Sequence, residues 1–198
     1  GSEEMWHRAE MALTEVLQEK DVDYKVNPGD GAFYGPKIDF HIKDALGRTW
    51  QCGTVQLDFA MPEKFDILYI DKEGQKKRPA MIHRTALGSI ERFMGILIEH
   101  YGGSFPLWLA PVQAIILPVS EEKHMGYAKE ILASLKKSHF RVKIDKTKDS
   151  LQRKIVDAEK KRIPYIIVVG DREAEAKNIA LRRRGVSKIE TMGLDGLN

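Results

Sequence analysis

The chain has 198 residues, 42% hydrophobic and 31% charged, which places it among soluble globular proteins with room for two ordinary domains. A formal net charge of +3 permits a nucleic-acid partner without demanding one, and a single cysteine, Cys52, excludes an internal disulfide and a cysteine-rich zinc site, in keeping with a reducing compartment such as the cytoplasm. No apolar run approaches the ~20 residues needed to cross a bilayer, and the start lacks a basic-then-apolar signal pattern.

Met5, Trp6, Ala9, Ala12, Leu13, Val16 and Leu17 recur at three- and four-residue steps, predicting an amphipathic helix that Ser2 caps and that ends near Lys20. A short strand is expected over 24–26. The turn formers Asn27-Pro28-Gly29-Asp30-Gly31 then deliver the chain to Phe33-Tyr34-Gly35-Pro36-Lys37. Ile38, Phe40 and Ile42 alternate with Asp39 and His41, Gly47 sits in a hairpin turn, and 50–59 is the returning strand, so the first domain is built on antiparallel sheet. After a polar turn at 71–75, a strand reaches His83 and a long helix carrying Ile90, Phe93, Met94, Leu97 and Ile98 runs to about Tyr101.

Gly102-Gly103-Ser104-Phe105-Pro106 breaks that helix, and the pattern changes, which places a domain boundary between 108 and 109. Strands over 114–119, 140–144 and 165–169 alternate with helix stripes at Ala128, Ile131, Leu132, Leu135 and at Leu151, Ile155, Ala158. Two of the strands are almost wholly apolar, which requires helices on both faces of a sheet, so the second domain is α/β. Residues 179–183 and 187–192 are candidates for edge strands.

The run Met81-Ile82-His83-Arg84 followed by Gly88-Ser89-Ile90-Glu91-Arg92 puts an imidazole and a guanidinium at either end of a strand-to-helix turn. Tyr34, Lys37, Gln51, Thr54 and Gln56 lie on or beside adjacent strands, where their side chains can converge on a small polar ligand. Gln51 has the wrong strand parity to share a face with Thr54 and Gln56. Either it faces solvent, or a bulge at Gly53 restores it. Cys52 has no activating base nearby and reads as a packed side chain.

The segments 31–40, 50–59, 81–84 and 88–92 together resemble the threonyl-tRNA synthetase family of class II, and the resemblance runs almost end to end, through Trp108-Leu109-Ala110-Pro111-Val112-Gln113 into the second domain. It implies part of a class II antiparallel sheet with helices (1–108), then an α/β/α anticodon-binding domain with a mixed sheet (109–198). It implies a threonine-tRNA ligase acting on ATP, with Mg, on threonine and on tRNA(Thr), as a homodimer in the whole enzyme. Residue by residue, Arg92 corresponds to the catalytic, ATP-binding arginine of the third class II motif. Gln51, Thr54 and Ser89 match ATP-binding positions. Tyr34, Lys37 and Gln56 match threonine-binding positions. His83 matches one of three ligands of a zinc ion that selects threonine over valine through its hydroxyl. In the second domain Glu173 matches an anticodon contact; Arg182 to Arg184, Arg182 taken as anticodon-binding, and the 160–162 cluster are either phosphate contacts or solvated faces.

Nothing in the chain resembles the first or second class II motif or the two other zinc ligands, and the family's last helix is expected beyond Asn198. The implied expectation is therefore a fragment inactive by itself. The alternative is a non-catalytic tRNA-binding or regulatory protein of synthetase-like architecture.

Overall fold

The computed structural model describes residues 2–197, which fall into two units that divide between His100 and Tyr101. In the first unit, α1 (Glu3–Glu19) starts at Ser2, whose hydroxyl accepts the Met5 N–H at 3.3 Å. The expected strand over 24–26 does not form; the segment is irregular chain outside any sheet. The hairpin of β1 (Lys37–Lys43) and β2 (Thr49–Asp58) is closed by Asp44. Its carboxylate accepts the Leu46 and Arg48 backbone N–H groups, both at 2.9 Å, and the Trp50 indole at 2.8 Å.

After α2 (Ala60–Lys64) and a small hairpin of β3 (Tyr69–Ile70) and β4 (Lys76–Lys77), β5 (Met81–Thr85) pairs with β2. The sheet order is β1-β2-β5, antiparallel throughout. In α3 (Ile90–Tyr101) the apolar stripe splits: Ile96 is buried and Phe93 and Leu97 are half-buried, while Ile90, Met94 and Ile98 are exposed.

The second unit alternates strand and helix: β6 (Ala114–Pro118), α4 (Glu121–Lys137), β7 (Val142–Ile144), α5 (Leu151–Lys160), β8 (Tyr165–Val169), α6 (Asp171–Ala176), β9 (Ile179–Arg183) and β10 (Ile189–Met192). The order β10-β9-β8-β6-β7 is mixed, with β6 parallel to β7 and β8 and the last two strands antiparallel. Ala114 and Ile116 turn to one face with Ala128, Ile131 and Leu135 of α4. Ile115 and Leu117 turn to the other with Ile155 and Ala158 of α5. Both faces being covered is why β6 reads as an unbroken apolar run. Of the two candidate edge strands, β9 lies inside the sheet and β10 takes the edge.

Residues 101–108 are fastened to the second unit by arginines. Arg162 donates to the Ser104 hydroxyl at 2.8 Å, Arg184 to the Ser104 carbonyl at 3.0 Å, and Arg141 to the Trp108 carbonyl at 2.7 Å. Loop punctuation marks where a helix stops, whereas these guanidiniums reach back from distant sequence. Among the described residues, no helix is long and apolar enough to cross a membrane.

Candidate functional site

The register of the three-stranded sheet decides which side chains can meet. Lys37 lies opposite Gln56, Asp39 opposite Thr54 and His41 opposite Gln51, with a shift between Phe40 and His41 that leaves Cys52 as an extra residue in β2. That bulge, one residue from the expected Gly53, restores Gln51 to the face of Thr54. Both side chains reach one carboxylate oxygen: Gln51 Nε2 donates to Asp39 Oδ1 at 2.7 Å and Thr54 Oγ1 to the same atom at 2.8 Å. Across the other edge Gln56 faces His83 and Thr54 faces Thr85. Lys37, Gln51, Thr54, Gln56 and His83 therefore share one polar face, while Ile38, Val55 and Leu57 turn to the other.

One end of that face is a cavity of about 440 Å³ lined by Phe33, Tyr34, Gln56, Asp58, Ala60, Met61, Lys64 and His83. The loop that carries Tyr34 lies directly on β2, through Phe59 N–H to the Tyr34 carbonyl at 3.0 Å. The approach demands glycine at 35, where a Cβ would fall 2.0 Å from the Leu57 carbonyl oxygen. Tyr34 then donates its hydroxyl to Gln56 Oε1 at 3.2 Å. Asp58, almost wholly buried, spends Oδ1 on the Ala60 and Met61 N–H groups at 2.8 and 3.0 Å and places Oδ2 2.8 Å from His83 Nε2. Burial pushes the Asp58 carboxyl up, but the Met61 N–H, the His83 ring and the Ala60 N–H outweigh it and hold the group below its usual range. With Nε2 engaged, Nδ1 is the His83 nitrogen available to a ligand.

His83 and Asp58 are two donors, and among the described residues no three His, Cys, Asp or Glu side chains gather as a metal site. The residues present do not by themselves fit the expected zinc site, which takes three protein ligands.

Arg92 stands beside the other end of the face. Gly88 turns the chain from β5 into α3 at φ +67°, and a Cβ there would meet the carbonyl oxygen of the bulged Cys52 at 2.5 Å. Ser89 caps α3, accepting the Arg92 N–H at 3.4 Å and donating to Glu91 at 2.9 Å. The Arg92 guanidinium donates to the Gln51 carbonyl at 3.3 Å and lies 5.9 Å from the centre of the Trp50 ring. It is exposed and does not line the cavity.

The second unit does not bring its two candidates together. Glu173 follows the C-terminal end of β8 and gives one carboxylate oxygen to the Gly170 N–H at 2.9 Å. Arg182 pairs with Ile166 near the start of β8 and reaches Glu159 at 3.9 Å, beside a cavity of about 370 Å³ floored by Ile163 and Ile166. Arg183 and Arg184, candidates for phosphate, are committed internally: Arg183 donates to the Tyr165 hydroxyl at 3.0 Å and Arg184 to the Arg162 carbonyl at 2.6 Å. His124, passed over in the sequence, is buried. Its Nδ1 accepts the Ser120 N–H at 3.0 Å and its Nε2 sits 3.0 Å from Asp171 at the start of α6.

The sequence also missed Asp39, Asp58, Phe33 and Lys64. The partners of the two aspartates lie many residues away, so no local pattern marks them.

A family profile described as the tRNA synthetase class II core domain (G, H, P, S and T) matches residues 2–101, and one described as an anticodon binding domain matches 113–197. The chain belongs to the class II aminoacyl-tRNA synthetases. A threonine–tRNA ligase of Carboxydothermus hydrogenoformans is 54% identical over 189 residues, covering 96% of this chain and 30% of that protein. The crystal structure of the RNA binding domain of threonyl-tRNA synthetase from Cryptosporidium parvum Iowa II superposes with a TM-score of 0.88 at 44% identity, over 100% of this chain and 50% of that one. A putative threonyl-tRNA synthetase from Aeropyrum pernix gives 0.72 at 29% identity, over 98% of this chain and 46% of that one. Within its class, the sequence falls in the threonyl-tRNA synthetase family. It spans about 30% of the length of the ligases it matches.

Proposed function

We propose that this chain is the nucleotide-facing and anticodon-facing part of a threonine–tRNA ligase of the cytoplasm, a homodimer when whole. In the reaction, the threonine carboxylate attacks the α-phosphate of Mg-bound ATP and releases pyrophosphate. A terminal ribose hydroxyl of tRNA(Thr) then takes the threonyl group from the adenylate. The observation that carries this reading is the single polar face running from the Tyr34–Gln56–His83 cavity to Gln51, whose backbone carbonyl the Arg92 guanidinium contacts. Its length along β1, from Lys37 opposite Gln56 to His41 opposite Gln51, is about 13 Å at the usual rise per residue and suits an extended adenylate with the amino acid at the cavity end.

In that arrangement Tyr34 and Gln56 orient threonine in the cavity, and Lys37, opposite Gln56 but outside the cavity lining, assists from beside it. Gln51 and Thr54 hold the adenylate, and Ser89 flanks the nucleotide. Arg92 leaves the Gln51 carbonyl to stack on adenine or pair with phosphate, tasks that a planar, permanently charged group performs better than lysine. Catalysis then rests on positioning and charge stabilisation, with no covalent enzyme nucleophile. His83 would be one of three protein ligands to a zinc ion, and the chemistry such an ion would supply is ligation of the threonine amino and hydroxyl groups. Glu173 reads an anticodon base edge with its second carboxylate oxygen, and Arg182 serves a different nucleotide, since the two sit toward opposite ends of β8.

The 198-residue chain is expected to give no ATP–pyrophosphate exchange with threonine, because nothing in it resembles the second class II motif. It is expected to bind Mg-ATP only weakly, with NMR shifts at Gln51, Thr54 and Arg92, and to bind tRNA(Thr) with an affinity that falls steeply with salt. Measurable exchange, or nucleotide shifts that Arg92→Ala leaves intact, refutes the assignment.

A further inference from the structure

Three of the side chains assigned to substrate meet on a fourth that the assignment leaves unused. Asp39 Oδ1 takes both the Gln51 amide, at 2.7 Å, and the Thr54 hydroxyl, at 2.8 Å, while Oδ2 lies 2.6 Å from the Lys37 ammonium. Its side chain is only 11% exposed. The three partners arrive by different routes: Lys37 from two residues earlier on β1, Thr54 from directly across the ladder, Gln51 from beyond the bulge. Long side chains such as glutamine and lysine lose much rotamer freedom when a ligand fixes them, so fixing them beforehand favours binding.

We propose that Asp39 is the positioning residue of this face, holding Gln51 and Thr54 of the nucleotide site, and Lys37 of the threonine site beside them, in their binding rotamers before ATP arrives. The inference rests on the nucleotide reading of this face. A carboxylate beside a polyphosphate is otherwise a liability, since like charges repel. Lys37 cancels that charge, and burial, which would push the carboxyl up, is outweighed by the Lys37 and Thr54 hydrogen bonds, so Asp39 stays ionised. Two expectations therefore oppose each other. If Asp39 acts only through its charge, removing that charge tightens ATP binding. If it positions, removal weakens binding, and so does moving the carboxylate without removing its charge.

The test is titration of the isotope-labelled 198-residue chain with Mg-ATP by NMR, comparing wild type, Asp39→Asn and Asp39→Glu. Asp39→Glu keeps the ion pair with Lys37 within reach but displaces the carboxylate from Gln51 and Thr54 by one methylene. Both variants are expected to raise Kd at least about fivefold. Without ligand, both are expected to collapse the Gln51 side-chain amide signals toward those of a freely rotating glutamine. Wild-type affinity in Asp39→Glu, tighter binding in Asp39→Asn, or unchanged Gln51 amide signals in both would overturn positioning while leaving the nucleotide reading standing. If both variants fail to fold, Asp39 is a stability residue and the proposal falls. If the wild type itself shows no Mg-ATP shifts, the nucleotide reading fails and takes this inference with it.

Discussion

Replacing Gly88 by alanine tests whether the turn into α3 really seats against the bulge in β2. Two costs add. Alanine at φ +67° pays for the left-handed region, about 1–2 kcal/mol. Its Cβ also lands 2.5 Å from the Cys52 carbonyl oxygen, well inside the 3.4 Å at which ordinary contact begins, and a backbone carbonyl in a sheet moves only with its strand. Overpacking of that kind adds about 1–3 kcal/mol. Gly47 supplies the control within the same unit: its φ is +80°, but nothing lies within 4 Å of an added Cβ, so Gly47→Ala pays only the first cost. Urea unfolding followed by Trp50 fluorescence should place Gly88→Ala about 1–3 kcal/mol below Gly47→Ala. The Arg92 amide, one turn into α3, should also exchange faster. Equal stabilities for the two variants would show that the turn does not press on the bulge, and the placement of Arg92 beside Gln51 would lose its support.

Two further outcomes follow from single side chains. Asp44 is buried in the hairpin turn, which pushes its carboxyl up, but bonds from Trp50 and Arg48 outweigh burial and hold it at about 2, below the ordinary 3.8. Its ionised form therefore stabilises the hairpin fully above about pH 4, and that contribution drains away as pH falls toward 2. Trp50 emission, in a variant lacking Trp6 and Trp108, should step across that window and lose the step in Asp44→Asn; a step that survives the substitution would reassign it. In the second unit, His124→Ala leaves the Ser120 N–H without its acceptor and releases Asp171, at a cost of about 2–4 kcal/mol. The urea midpoint should fall and amide exchange across 171–176 should rise, whereas an unmoved midpoint would deny His124 its role in holding α6.

What the sequence revealed depended on whether a signal was local. The alternation of the second unit was readable because β6 and β8 are covered on both faces and α4 and α5 on one, so burial writes itself directly into the residue pattern. The parity conflict at Gln51 was readable too, and of the two readings it left open the ladder takes the bulge, within one residue of Gly53. The hubs were not. Asp39 and Asp58 looked like the polar half of an alternating strand, and only the folded ladder places Gln51, Thr54 and His83 around them. The arginines of the second unit show the same limit: nothing in the sequence marks that Arg183 and Arg184, candidates for phosphate, also bond to Tyr165 and to a backbone carbonyl far from them. The segment 24–26 carries strand-forming residues but joins no sheet, and propensity by itself does not make a strand.

The unpaired residue at Cys52 has one more effect, on how this hairpin can go wrong. Were β1 and β2 to slide into an uninterrupted ladder, Cys52 would take the place opposite His41, the Gln51 amide would pass behind the sheet and Gly88 would lose its seat. Such a molecule would keep its full complement of strand and helix, so circular dichroism would pass it as native. Only a probe that senses which side of β2 carries Gln51 can separate a competent chain from a misregistered one.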